Sequence, residues 1–138
     1  MLTAQQVIRY KALEIYYQSY SEKGININLT GEQVDDVFET ILKEEGEIQD
    51  IINEVRYGIQ ETDIDCLSSR HYETKSVATQ APNGQWAGWT FYYGGGKHSE
   101  PESIEWIENA YLLDCIEEEQ LVTIRKFYLM QNEDKNNS

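Results

Sequence analysis

The stretch Trp86-Ala87-Gly88-Trp89-Thr90-Phe91-Tyr92-Tyr93-Gly94-Gly95-Gly96-Lys97-His98 decides how the rest of the chain is interpreted. Its first half is rich in aromatic residues, which is typical of a buried β-strand. Its second half opens with three consecutive glycines, which indicate a loop with backbone angles that other residues avoid. The preceding Pro82-Asn83-Gly84 predicts a tight turn, because proline fixes φ and Asn-Gly accepts positive φ.

Further strands are predicted on both sides of this aromatic strand. Residues 71–80 alternate weakly between apolar and polar side chains, and residues 110–116 and 120–129 are rich in strand-forming residues. The three glutamates at 117–119 would form the turn between the last two strands. Residues 104–109 suit a single helical turn, with Trp106 or its isoleucine neighbours facing inward.

Two helices are predicted before the sheet. Thr3 with Gln6, and Thr30 with Gln33, are capping boxes that mark helix starts. The first helix would end near Gly24. The second carries apolar residues spaced by seven, and this register continues through Gly46, although glycine costs about 1 kcal/mol relative to alanine in a helix. The pattern therefore predicts one long second helix that ends near residue 57.

Together these elements predict an α+β fold, an N-terminal α-helical hairpin packed on a three- to four-stranded antiparallel sheet. The length of 138 residues suits one domain over residues 1–130, and residues 131–138 form a polar, frayed tail. Nothing near Met1 resembles a secretory signal, and no apolar run approaches the roughly 20 residues that span a bilayer. We therefore expect a soluble cytoplasmic protein in which Cys66 and Cys115 are free thiols.

The chain is strongly acidic, with 25 acidic and 11 basic residues and a formal net charge of −14. Such a charge disfavours direct binding to nucleic acid or to anionic membranes, and it favours a basic protein partner. The acidity is concentrated in two segments. Residues 32–61 hold ten acidic and two basic residues, and residues 100–119 hold eight acidic and no basic ones.

On a helical wheel, six acidic residues of the second predicted helix fall within about 40° of the side opposite Val34. They would place a negative charge about every 5–6 Å along one line, which is comparable with the spacing of nucleic-acid phosphates. The alternative is an ordinary solvated helix face. The six are Glu32, Asp36, Glu39, Glu47, Asp50 and Glu54, and the second acidic segment adds Glu100, Glu102, Glu105 and Glu108.

The glycine-rich loop is the other candidate site, made of Gly94, Gly95, Gly96, Lys97 and His98. A phosphate-binding loop would need a glycine where Phe91 stands and a serine or threonine in place of His98, and a dinucleotide fingerprint would need spaced glycines. A connector is therefore favoured over a ligand site. The sequence shows no short-spaced metal ligands and no nucleophile motif, so we predict no metal, no cofactor and a binding protein rather than an enzyme.

The segment that runs from Gly88 through the glycines to Glu102, followed by Trp106-Ile107-Glu108-Asn109-Ala110-Tyr111, resembles a segment of small phage- and prophage-encoded proteins. The resemblance covers about residues 86–128, roughly a third of the chain, and leaves the helical hairpin outside. It implies a mobile-element context and no catalytic residues.

These observations lead to one principal hypothesis and three alternatives. The chain is expected to inhibit a basic, nucleic-acid-binding host defence protein, such as a CRISPR effector or a nuclease, by imitating nucleic acid. The alternatives are a toxin-neutralising immunity protein, a small-ligand-binding or enzymatic domain centred on residues 94–102, and a homodimer zipped through Val34, Ile41, Ile48 and Val55.

Overall fold

The computed structural model describes residues 1–44, 46–66, 68–97 and 99–131, and within these ranges it contains three α-helices and a four-stranded antiparallel sheet. The predicted α+β fold, with helices at the N-terminus, is confirmed. The helices are α1 (Ala4–Tyr20), α2 (Gly31–Glu44) and α3 (Glu47–Val55), and the strands are β1 (Gln60–Glu61), β2 (Glu73–Gln80), β3 (Trp86–Tyr93) and β4 (Tyr111–Leu113).

Both predicted capping boxes form. The Thr3 hydroxyl accepts from the Gln6 N–H at 3.2 Å, and the Gln6 side chain accepts from the Thr3 N–H at 2.9 Å. Thr30 and Gln33 repeat both bonds with the same two distances. Each pair satisfies two backbone donors that a helix start would otherwise leave unbonded. The first helix ends at Tyr20, before the predicted stop at Gly24.

The prediction of one long second helix is wrong, because α2 ends at Glu44 and α3 begins at Glu47. Gly46 is unfavourable in a helix interior, and it lies among glutamates whose repulsion adds to the cost. The N–H of Gln49 donates to the Gly46 carbonyl (3.1 Å), an i to i−3 bond at the start of α3. Both helices still pack their apolar sides against α1, so the seven-residue pattern continues while the helix does not.

The sheet has the order β1-β2-β3-β4 and is antiparallel throughout. β3 is the predicted aromatic strand, and it pairs with β2 along its whole length, with Val77 opposite Trp89. The predicted turn between them is confirmed: Gly84 has φ +93°, and the Ala81 N–H donates to the Gln85 carbonyl at 2.9 Å.

Of the two strands predicted near the C-terminus, one is confirmed in a shorter form and the other is wrong. The strand predicted at residues 110–116 is only Tyr111–Leu113, and no strand forms at residues 120–129. Residues 114–131 have no regular structure and are exposed throughout. Residues 104–109 form no helix, but the Ala110 N–H donates to the Ile107 carbonyl at 3.0 Å, which closes a single turn, and Trp106 faces inward as predicted. A one-turn 3₁₀ helix precedes them at Pro101–Ser103. The short strand β1 was not predicted. The tail prediction for residues 132–138 lies outside the described residues.

The core lies between the helices and one face of the sheet. Val7, Ile8 and Leu13 of α1 are fully buried, as is Trp89 of β3, whose indole N–H donates to the Arg56 carbonyl at 2.8 Å. The homodimer seam predicted along Val34, Ile41, Ile48 and Val55 belongs to this core, since Ile41 packs against it and the other three are buried in it. That seam is therefore not a surface for a second chain.

The opposite face of the sheet carries no helix and has small residues at its centre. Ala78 and Gly88 are buried there, and a Cβ on Gly88 would lie 2.8 Å from the side chains of both Tyr111 and Leu113. These two β4 side chains therefore cover Gly88. Beside them, a cleft of about 530 Å³ is lined by Ala78, Trp86, Leu113 and the segments 60–64 and 114–117.

Candidate protein-binding surface

Three of the six predicted contact residues lie on the outer side of α2. Glu32, Asp36 and Glu39 are exposed, whereas Val34 and Phe38, on the other side of the helix, are buried in the core. The three carboxylates follow one another at spacings of four and three residues, so adjacent members are neighbours on the helix surface. α2 thus presents a short row of negative charge to solvent.

The other three lie on α3 in the same relation to its core side. Glu47, Asp50 and Glu54 are exposed, while Ile48, Ile51, Ile52 and Val55 are buried. Their spacings are three and four residues, which again makes adjacent carboxylates neighbours. The interruption between Glu44 and Glu47 means that the charges form two rows of three on separate helices, not the single line of six that the sequence predicted.

None of these six carboxylates takes part in an ion pair among the residues that the structure describes. The two salt bridges found there join Arg9 to Asp35 and Lys11 to Glu14, each at 2.7 Å. Asp35 also accepts from the Gln6 amide at 2.9 Å, and Arg9 lies over the Phe38 ring. Asp35 is thus the α2 acid that holds α2 to α1, a role that the sequence analysis missed. Its signal was its position beside Val34, at the edge of the apolar side.

Helix electrostatics explain some of these acids without any partner. Glu32 lies in the first turn of α2, and Glu47 and Asp50 lie in the first turn of α3. A carboxylate there is stabilised by the positive end of the helix dipole, typically by about 0.3–1 kcal/mol. Asp36, Glu39 and Glu54 lie beyond the first turn and gain no such stabilisation. These three are therefore the residues whose charge most needs another explanation.

The second acidic segment lies close to one end of the first. Four exposed glutamates surround the 3₁₀ helix: Glu100 precedes it, Glu102 lies in it, and Glu105 and Glu108 follow it. Glu102 and Glu54 line the same shallow cleft, of about 450 Å³. The structure therefore places one member of each predicted acidic set at the same cleft, a proximity that the sequence did not predict.

Arg56 also lines this cleft, but contacts within its own domain hold its side chain. It is only 5 % exposed, it donates to the Tyr92 carbonyl at 3.0 Å, and its guanidinium lies 4.6 Å from the centre of the Phe91 ring. No salt bridge joins it to Glu54 or Glu102 among the described side chains. The carboxylates of Glu54 and Glu102 thus remain unpaired among the described residues although a cation lines the same cleft.

The glycine loop has structural reasons for its glycines. Gly94, Gly95 and Gly96 have φ of +72°, +89° and +91°, in the left-handed region that side chains disfavour. A Cβ on Gly95 would also come within 2.8 Å of the His71 carbonyl oxygen. The Ser99 hydroxyl bonds the carbonyls of Gly94 and Gly96, both at 2.8 Å, which closes the loop on itself.

The described side chains of this loop do not form a ligand-binding or catalytic site. Lys97 is exposed, and His98 lies outside the described residues. Among the residues with described positions, no three His, Cys, Asp or Glu side chains are grouped closely enough to hold a metal ion. Cys66 and Cys115 are both free thiols, as predicted. No helix of the described segments has the length and apolar content needed to cross a membrane.

Two aromatic side chains of β3, Trp89 and Phe91, are buried in the core. Trp89 is fully buried and packs on Trp106 with ring centres 4.9 Å apart, and Phe91 is 6 % exposed. The buried aromatic strand that the sequence predicts is confirmed for Trp89 and Phe91. No protein-family model matches this chain, and no curated protein or solved structure matches it either.

Proposed function

We propose that the protein acts by binding a basic protein through the exposed carboxylates of α2 and α3, and that it inhibits a nucleic-acid-binding host defence protein. The observation that carries the proposal is the absence of internal partners for these six exposed carboxylates among the described residues. Each is free to form a charge-assisted bond with a lysine or arginine of another protein. The place of action would be the host cytoplasm, in keeping with the resemblance of residues 86–128 to phage-encoded proteins.

The broken helix changes the form of this proposal. A regular ladder of charge along one rod would imitate a phosphate backbone, whereas two rows on separate helices match it only in sign and in local spacing. Support for the proposal therefore comes from the amount of exposed, unpaired negative charge and from the cleft where Glu54 meets Glu102. Such a surface would attract a basic groove from a distance and accelerate association at low salt.

The test is affinity capture from a bacterial lysate with the full chain as bait. The variant carries Asp36→Lys, Glu39→Lys and Glu54→Lys, the three acids that the helix dipole does not explain. We expect the wild-type chain to retain a basic nucleic-acid-binding protein that the variant loses. Retention should fall steeply as the salt concentration rises, because exposed charges are screened. Added duplex DNA should compete for the same partner.

A matched control separates the pattern of charge from its total. Glu22→Lys, Asp63→Lys and Asp65→Lys change the net charge by the same amount at exposed positions away from α2 and α3. We expect this control to bind nearly as well as the wild-type chain. Equal loss of partner binding in both variants would show that only the total charge matters, and that the positions on α2 and α3 do not. Capture that does not change with salt or with added DNA would contradict the proposal.

The immunity-protein alternative shares the same surface and differs in the partner. The capture experiment distinguishes the two hypotheses by the identity of the captured protein. A toxin in place of a defence nuclease would favour the immunity-protein alternative. The loop alternative predicts instead that Lys97→Ala removes activity. We expect that substitution to leave partner capture unchanged, since Lys97 is exposed and lies outside the carboxylate rows.

A further inference from the structure

The C-terminal arm, defined as residues 114–131, is the largest exposed apolar feature of the described chain. Leu121, Phe127, Leu129 and Met130 are between 86 % and 106 % exposed, and Ile116 is 84 % exposed. A folded domain rarely exposes so many large apolar residues in one continuous stretch unless they contact something else. We therefore expect the arm to bind another surface.

The sequence of the arm is that of a strand covered on both faces. In Leu121-Val122-Thr123-Ile124-Arg125-Lys126-Phe127-Tyr128-Leu129-Met130, apolar residues occur at both odd and even positions. Because alternate residues of a strand point to opposite faces, such a run is typical of a strand inside a sheet rather than at a solvated surface. Several of its residues are β-branched or aromatic, which favours an extended backbone.

The arm does not turn back to pair with its own β4. The connection at residues 114–119 contains no glycine, the residue on which two-residue hairpin turns of types I′ and II′ chiefly depend. No non-glycine residue with positive φ occurs among the described residues, so the backbone makes no such turn there. Extended at about 3.3 Å per residue, the 18 residues of the arm reach up to about 60 Å.

The chain also offers a place where such a strand would fit. One side of β4 pairs with β3, and no strand of the described residues pairs with its other side, which is an edge of the sheet. Leu112 on this strand is 42 % exposed, and Leu113 lines the cleft of about 530 Å³ on the helix-free face. A strand added at this edge would bond the free backbone groups of β4 and cover apolar side chains on both faces.

Charge favours the same pairing. The strand-forming part of the arm carries Arg125 and Lys126 and no acid, whereas residues 100–113, which lead into and include β4, carry four acidic residues and no basic one. The basic strand would thus lie against the acidic end of another copy. Each chain has both an unpaired arm and an unpaired β4 edge. In a two-fold dimer, the arm of each copy can therefore pair with the β4 edge of the other.

We propose that the C-terminal arm adds as a fifth strand to the β4 edge of a second copy of the chain, which returns its own arm in the same way. The resulting homodimer is held by exchanged strands and leaves the carboxylates of α2 and α3 at its surface. The dimer proposal is independent of the proposed function, because the dimer uses the arm and β4 whereas the proposed partner binds the carboxylates of α2 and α3.

The first test measures mass by sedimentation over a dilution series of the full chain. We expect a particle of twice the monomer mass of 16.1 kDa. The double variant Ile124→Asp/Phe127→Asp places a charge on each face of the arm, and we expect it to raise the dimer dissociation constant by about 100-fold or more. Because both residues are exposed in the single chain, the helical circular-dichroism signal should not change.

A matched control is Ile27→Asp, which changes another exposed isoleucine, 57 % exposed, in the connection between α1 and α2. We expect it to remain a dimer. A wild-type chain that stays at 16.1 kDa at every concentration would overturn the proposal, as would a dimer that the arm variant does not weaken.

The second test distinguishes exchange between copies from closure within one copy. In a background with Cys66→Ser and Cys115→Ser, one tagged copy carries Leu112→Cys and a differently tagged copy carries Thr123→Cys, with Val122→Cys and Ile124→Cys as neighbouring registers. A disulfide needs Cα atoms within about 7 Å. We expect a mixed disulfide between the two tags. A disulfide that forms only when both cysteines are on one dilute chain would refute exchange.

Discussion

Strand β3 and the C-terminal arm have similar composition and opposite environments. Both are rich in aromatic and β-branched residues, and both were predicted to be strands. β3 lies between β2 and β4, with Trp89 fully buried, whereas the arm has no regular structure and its Phe127 is 86 % exposed. The difference is that β3 has a partner strand on each side, whereas the arm has none among the residues whose structure is described.

This contrast shows that a strand needs neighbours as well as suitable residues. β3 is brought back to β2 by a turn in which Gly84 adopts φ +93°. Within the arm, the strand-like residues 120–130 follow three glutamates, which provide no such turn and repel one another. The composition of residues 120–130 therefore predicts a strand. The connection at residues 114–119 explains why this strand does not pair with β4 of its own chain.

The largest effect is expected for Trp89→Ala. The indole is fully buried, packs on Trp106 and donates to the Arg56 carbonyl, so its removal leaves a cavity and an unbonded carbonyl. We expect the free energy of unfolding to fall by about 3–5 kcal/mol, measured by chemical denaturation. A loss below about 1 kcal/mol would contradict the central place of β3 in the core.

A smaller loss is expected for Arg56→Met, which keeps the length of the side chain and removes its charge. The guanidinium bonds the Tyr92 carbonyl near the end of β3 and lies over the rings of Tyr57 and Phe91. Loss of these contacts should cost about 1–3 kcal/mol in unfolding free energy. Arg125→Met in the arm is the matched control, and it should change the stability of the single chain by less than about 0.5 kcal/mol.

Gly88→Ala tests the junction between the two regions. The new Cβ would meet the side chains of Tyr111 and Leu113 at 2.8 Å, so both must move away from β3. Because these contacts are with side-chain atoms and not with backbone, we expect a loss of about 1–2 kcal/mol rather than unfolding. The displacement should also weaken the proposed dimer, since β4 forms its edge. Unchanged dimer affinity would place the exchanged strand elsewhere.

Much of the fold could be predicted because its signals are local. The capping boxes at Thr3 and Thr30, the turn at Gly84 and the strand β3 each depend on residues close in sequence. The helix break at Gly46 could not be decided in the same way. The apolar register continues across it, and the cost of one glycine is similar to the stabilisation that packing onto α1 can return.

The candidate surface was predictable in its residues and not in its shape. The apolar pattern correctly assigns the six carboxylates to the exposed sides of their helices. The pairing of Asp35 with Arg9 and the meeting of Glu54 with Glu102 depend on how distant segments pack. No helical wheel contains that information. The same holds for the arm, whose pairing depends on an edge formed elsewhere in the chain.

The smallest effect on the single chain is expected for Phe127→Ala in the arm. Phe127 is 86 % exposed, so its removal takes away no described packing, in contrast to Trp89. At a dilution where the mass is 16.1 kDa, the free energy of unfolding should change by less than about 0.5 kcal/mol. At higher concentration, dimerisation stabilises the folded chain, and Phe127→Ala should then lower the melting temperature because it weakens the dimer. A large loss at high dilution would mean that the arm packs on its own domain, and the difference between β3 and the arm would disappear.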